Sequence, residues 1–134
     1  MIIDTSALLA ILQDEPERRR FNEVIDAADS RRISAATFVE ASIVIEVRFG
    51  AEGLRALDRF LERGEIEIDP VDLEQARLAR EAFMRFGKGR HPAGLNFGDC
   101  FAYALAKALS EPLLFKGEDF PLTDVLPADA RTPS

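Results

Sequence analysis

Four acidic residues fall where secondary structure is expected to change. Asp4 closes the short apolar run Met1-Ile2-Ile3 and precedes the hydroxyl pair Thr5-Ser6. Glu40 belongs to the first turn of the helix after a second strand, Arg32 to Ala35. Asp99 belongs to the first turn of a helix that leads into the strand Leu113-Leu114-Phe115, and Asp119 to the turn beyond it. Carboxylates brought together repel one another and raise each other's pKa. A chain tolerates this where a cation is the missing partner, and all-oxygen donors suit hard Mg²⁺ or Mn²⁺. Mg²⁺ keeps several waters and is typically held by one or two carboxylates plus substrate phosphate. Its chemistry is a metal-bound hydroxide and stabilised charge on a phosphodiester. Ser6 is placed to steer Asp4 from behind.

Each acid also has a local explanation. Asp4 could cap its own helix, Glu40 could close a capping box with Thr37, and Asp99 could do so with Asn96. Asp119 could be a turn residue. Right-handed crossovers favour the collective reading, because they bring the carboxyl ends of parallel strands to one side. Asp4, Glu40 and Asp119 follow strands and meet there. Asp99 joins them only if its helix begins at that edge.

The elements follow from pattern. Ile2 and Ile3 are β-branched, and a bare apolar run suits a strand buried on both faces. Asp14-Glu15-Pro16 separates a first helix from a second with the face Phe21, Val24, Ile25 and Ala28. The helix behind Thr37 is apolar nearly all round, from Phe38 to Phe49, which predicts a wedge in the core or a face shared with a partner chain. Gly50 ends it, and Glu52 to Arg63 forms another helix with Leu54, Leu57, Phe60 and Leu61 inward. Glu65 to Asp69 alternates with period two and reads as an edge strand. Asp72 starts a helix with Ala76, Ala79, Phe83 and Phe86 buried. After the glycine-rich loop from Gly87 to Gly94, Asn96 caps a helix with the face Phe97, Phe101, Ala104, Leu105, Ala108 and Leu109. Val125-Leu126 forms a short fifth strand, and about 127–134 is a loose tail. Strands alternating with helices predict an α/β fold with a parallel sheet of four to five strands between helical layers.

At 134 residues the chain reads as one domain, 1–134. No apolar run approaches a membrane span, the opening residues lack a basic region, and Cys100 is the single cysteine, so the expectation is a cytoplasmic protein. A net charge of −7 disfavours non-specific nucleic-acid binding but suits a cation or a basic partner. His91 is the only histidine, too few nitrogen or sulfur ligands for zinc; it is read as a loop residue, or else as a substrate contact beside Lys88 and Arg90. There is no phosphate-binding loop of the G-x-x-x-x-G-K-[ST] type.

The blocks Ile3-Asp4-Thr5-Ser6-Ala7-Leu8, Glu40 in its apolar helix, Leu95-Asn96-Phe97-Gly98-Asp99-Cys100 and Phe115-Lys116-Gly117-Glu118-Asp119-Phe120 resemble the four motifs of PIN-domain proteins. They resemble most the VapC toxins of type II toxin–antitoxin systems. The resemblance implies a Mg²⁺-dependent endoribonuclease acting on RNA and inhibited by a cognate VapB-like antitoxin. It implies Asp4, Glu40, Asp99 and Asp119 as the catalytic acids, with Asp4 and Asp99 as direct metal ligands; Asp124 is a further candidate. A homodimer is expected from the apolar helix. A receiver-like phospho-acceptor domain would share the size, the strand-end acids and Lys116 after a late strand, with Asp69 as acceptor. That class wants an acidic pair after the first strand, where Thr5 and Ser6 stand. A phosphatase with an aspartyl nucleophile would repeat an Asp at Ser6.

Overall fold

The computed structural model describes residues 1–129. Among them four strands pair in parallel: β1 (Ile2–Ile3), β2 (Arg32–Ser34), β3 (Glu67–Asp69) and β4 (Leu113–Leu114), in the spatial order β3-β2-β1-β4. The helices are α1 (Thr5–Leu12), α2 (Arg18–Ala27), α3 (Ala35–Arg63), α4 (Leu73–Phe86) and α5 (Phe97–Leu109), with one 3₁₀ turn at Phe120–Leu122. The order places β1 centrally and β3 at an edge, as period and polarity predicted.

Side-chain alternation divides the core in two. Ile2 and Leu113 pack with Ala79, Ala82, Phe86, Tyr103 and Leu105 from α4 and α5. Their neighbours Ile3 and Leu114 point the other way, onto Leu8, Ile11, Phe21, Ile25, Leu57 and Leu61 from α1, α2 and α3. Successive residues of a strand face opposite sides, so two-residue strands suffice to bind both helical layers. Ile2 and Ile3 are fully buried, and each such side chain contributes about 1.5–3 kcal/mol relative to exposure. The result is a three-layer α/β/α architecture.

Several expectations are corrected. β2 ends at Ser34, whose side chain accepts from the Ala36 N–H at 3.1 Å and caps α3. Glu40 therefore lies in the second turn, and Thr37 is not its capping partner. On α4 the buried stripe is Gln75, Ala79, Ala82 and Phe86; Ala76 is exposed and Phe83 half-buried. On α5 the core takes Cys100 and Ala102 to Ala106, leaving Phe97 78% and Leu109 42% exposed. Packing against both β1 and α4 demands a broader apolar arc than one stripe, which rotates the helix away from the single-face reading. Val125-Leu126 makes no strand. The segment instead forms one parallel bridge, Leu113 to Pro127, through Leu113 N–H to Leu126 O at 2.8 Å and Ala128 N–H to Leu113 O at 2.9 Å. The rest of the expected tail, 130–134, lies outside the described residues.

Gly50 does break the long apolar helix. Its φ of 68° and ψ of −156° interrupt α3, and the chain resumes as helix so that Gly53 lies against Ile45 and Phe49. Only one side of the first half meets the core, through Ala41 and Ile45; Val39, Ile43, Val47 and Phe49 stay exposed. A side chain at residue 50 would meet no neighbour, so its cost is conformational alone. Gly50→Ala should destabilise the fold by about 1–3 kcal/mol, read as a lower urea midpoint; an unchanged midpoint would show that the break needs no glycine.

Candidate active site

Asp4 is held from three directions. Its N–H donates to Leu114 O at 2.9 Å, which fixes it at the carboxyl end of β1 beside β4. Its side chain turns back over α1, where Oδ2 accepts from the Ser6 N–H at 3.0 Å and from Ser6 Oγ at 2.6 Å. Ser6 Oγ is itself anchored by the Lys116 N–H at 2.9 Å, so the end of β4 braces the same carboxylate. The capping role is thus real, but it uses one oxygen. Oδ1 is buried with no hydrogen-bond partner, and the residue is 2% exposed. Burial raises the Asp4 pKa to about 7; the Ser6 hydrogen bonds oppose this, and the charges of Asp99 and Glu40 add to it.

The other acids reach the same edge by different routes. α5 runs back beneath the sheet toward the start of β4, so its first turn lies at the carboxyl ends of the strands. Asp99 Oδ2 accepts from the Asn96 N–H at 2.9 Å, the capping contact that sequence allowed. Burial, first, and then the charges of Glu40 and Asp119 raise its pKa, against that hydrogen bond. Glu40 comes from α3; Oε1 accepts from Thr5 Oγ1 at 2.6 Å, and its carboxylate lies against the backbone of Gly98. Asp119 is exposed at the entry to the 3₁₀ turn, without a side-chain capping bond. Among the described residues no three acidic, histidine or cysteine side chains already converge as ligands of one ion. An octahedral Mg²⁺ that retains waters asks for only one or two carboxylates. The donor chemistry fits: the Asp4 oxygen is buried and unpaired, which is costly for the ionised carboxyl unless a cation approaches.

Other residues singled out in the sequence fall outside this edge or are otherwise engaged. Asp124 accepts from Tyr103 Oη at 2.6 Å and Lys107 Nζ at 3.1 Å. Burial alone would raise its pKa, but these partners outweigh it and hold the carboxyl below its usual range. Asp69 pairs with Arg32 at 3.0 Å, and the Lys116 ammonium with Glu15 at 2.6 Å and Glu17 at 3.2 Å. Neither offers the free acceptor or the free lysine of a receiver-like site. His91 Nδ1 accepts from the Ala93 N–H at 3.0 Å, and its ring meets the Phe86 ring edge-on. Cys100 is buried, and burial pushes its thiol up to about 11, which removes redox or nucleophilic chemistry near neutrality. Sequence reasoning missed Thr5 and Gly98 as neighbours of Glu40. Thr5 was legible as part of a hydroxyl pair, but nothing local names a partner 35 residues away.

A buried acid at the end of a central parallel strand, with further acids from α3, α5 and the turn after β4, is the arrangement of a PIN domain, and residues 1–126 match the PIN domain family. The chain belongs to that family. Within it the chain is one of the VapC ribonucleases: it is 52% identical to Ribonuclease VapC30 of Mycobacterium tuberculosis over 93% of this chain and 95% of the relative. It is 54% identical to Ribonuclease VapC of Mycolicibacterium smegmatis, over 93% and 97%. The fold is similar to the crystal structure of Mycobacterium tuberculosis VapC20, a sarcin-ricin loop cleaving toxin, with a TM-score of 0.72 and 15% identity over 94% of this chain and 98% of that one.

The raised Asp4 pKa has a stability consequence. The folded state holds this proton more tightly than the unfolded chain, so the contribution is complete below about pH 4 and is lost as pH rises to about 7. In EDTA the protein should lose a few kcal/mol across that window, measured by thermal melts at stepped pH. Asp4→Asn should flatten the slope; a parental slope in that variant would mean that other groups carry it.

Proposed function

We propose that this chain is a Mg²⁺-dependent endoribonuclease, with Mn²⁺ able to substitute, and the toxin half of a toxin–antitoxin pair acting in the cytoplasm as one domain. The observation that carries the reading is the buried Asp4 carboxylate with Oδ1 unpaired at the edge where three further acids gather. Asp4 and Asp99 are the residues that would hold the metal, each spending one oxygen on a helix start and keeping the other free. When bound, the cation supplies a more acidic water and neutralises charge on the phosphodiester. Ser6 keeps the Asp4 carboxylate in one orientation. Glu40, tethered by Thr5, is the fixed base that takes a proton from the attacking water through Oε2. Asp119, exposed and without a side-chain capping bond, completes the acidic edge.

Asp69 and Lys116 are neutralised by their own partners, which argues against phospho-acceptor chemistry. The relatives named ribonucleases, and a second fold neighbour that is a toxin–antitoxin complex from Klebsiella pneumoniae (TM-score 0.64, 18% identity, 89% of this chain and 88% of that one), support RNA as substrate and a VapB-like antitoxin as partner. Among the described residues no helix is long and apolar enough to cross a membrane. The exposed row Val39, Ile43 and Val47 repeats every four residues along one face of α3, which supports a homodimer through that face.

Purified protein should cleave RNA internally with Mg²⁺ and stop in EDTA. Asp4→Asn and Asp99→Asn should each abolish cleavage with a native circular dichroism spectrum. Cleavage that survives EDTA or both substitutions would end the metal mechanism. For association, light scattering should give a dimer without antitoxin, and Ile43→Glu with Val47→Glu should give a monomer. A monomeric parent at micromolar concentration would rule out the α3 interface.

A further inference from the structure

Of the four edge acids, Glu40 is the one fixed by a side chain remote in sequence. Thr5, the first residue of α1 and 7% exposed, donates from Oγ1 to Glu40 Oε1 at 2.6 Å. Gly98, in the first turn of α5, also stands against this carboxylate. A Cβ built there would lie 2.0 Å from Glu40 Oε2, 2.4 Å from Cδ and 2.5 Å from Oε1. No side chain fits while the carboxylate stays in place. The backbone does not itself call for glycine at this position, because Gly98 is helical and is not among the residues of positive φ. Glycine within a helix costs stability relative to alanine. The close approach of Glu40 accounts for its use.

We infer that Thr5 and Gly98 form a seat that fixes the Glu40 carboxylate, and that both are positioning residues for the nuclease reaction. The inference rests on the reading of Glu40 as the fixed base. A glutamate side chain has three torsions, and a base that samples many of their combinations loses the alignment that catalysis needs. The Thr5 hydroxyl occupies Oε1 and so leaves Oε2 as the free acceptor. Gly98 lets that carboxylate lie flat on the turn that also carries Asp99, at a separation no other residue permits. The displaced group is the far end of a flexible side chain. Evicting it therefore costs the fold little and the site much.

The test uses Thr5→Val, which keeps shape and removes the donor, Thr5→Ser, which restores it, and Gly98→Ala, which reaches Glu40 from α5. Thr5→Val and Gly98→Ala should each lower kcat about tenfold or more, with KM near the parental value. Thr5→Ser should keep the parental kcat. Parental turnover in Thr5→Val and Gly98→Ala, or failure of serine to rescue, would overturn the positioning role. A second readout does not depend on activity. Gly98→Ala should raise Tm in a Glu40→Ala protein, where the helix-favouring methyl meets no carboxylate, and raise it less or lower it in the parent. Equal shifts in the two backgrounds would overturn the seat itself. If the parent does not cut RNA, the nuclease reading fails, and the melting comparison still decides whether the seat exists.

Discussion

The half-satisfied burial of one carboxylate governs this structure. Asp4 is 2% exposed, and Ser6 supplies two hydrogen bonds to a single oxygen. An ionised carboxyl in such a place is expensive unless it is paired. The molecule accepts the cost because the surrounding framework is rigid. β1 is fully buried between two apolar cores, and the Asp4 N–H completes the ladder to β4. The Lys116 N–H then holds Ser6 from the same strand end. Turning the carboxylate away would give up both Ser6 hydrogen bonds.

The remaining acids show how a fold builds an acidic edge without wasting local structure. Asp4 caps α1 and Asp99 lies in the first turn of α5, each with one oxygen accepting a backbone N–H at a helix beginning. Such caps stabilise the helices and hold the carboxylates in one rotamer. The second oxygen remains for the site. A structural and a chemical role are therefore compatible for these two residues: a carboxylate has two acceptor atoms and can serve both.

An acidic protein that handles a polyanion needs its cations in the right places. On this chain many cations are already committed to carboxylates: Arg18 to Asp14, Arg32 to Glu67 and Asp69, Lys107 to Asp124, Lys116 to Glu15 and Glu17. In the proposed reading a bound metal supplies positive charge at the acid edge and inverts the local potential where it sits. Burial and then neighbouring charge raise the pKa of both Asp4 and Asp99, which is the local cost of gathering acids at this edge.

The sequence by itself determined the alternation of elements, the central place of Met1-Ile2-Ile3, the break at Gly50 and the positions of Asp4, Asp99 and Asp119 near element ends, because β-branched runs, capping residues and glycine act locally. It also carried the motifs by which the family is recognised. It did not determine which faces of α4 and α5 are buried, since helices packed against both a sheet and one another need arcs wider than one stripe, and Phe97 was misplaced for that reason. The true start of α3 was also misread: Ser34 caps one turn earlier than Thr37. Only the tertiary structure decided that α5 begins at the carboxyl edge and so brings Asp99 to Asp4. It alone joined Thr5 to Glu40 and set Glu40 against Gly98. These contacts span tens of residues, and their existence depends on the crossover paths and on layer packing, which no local pattern of residue types encodes.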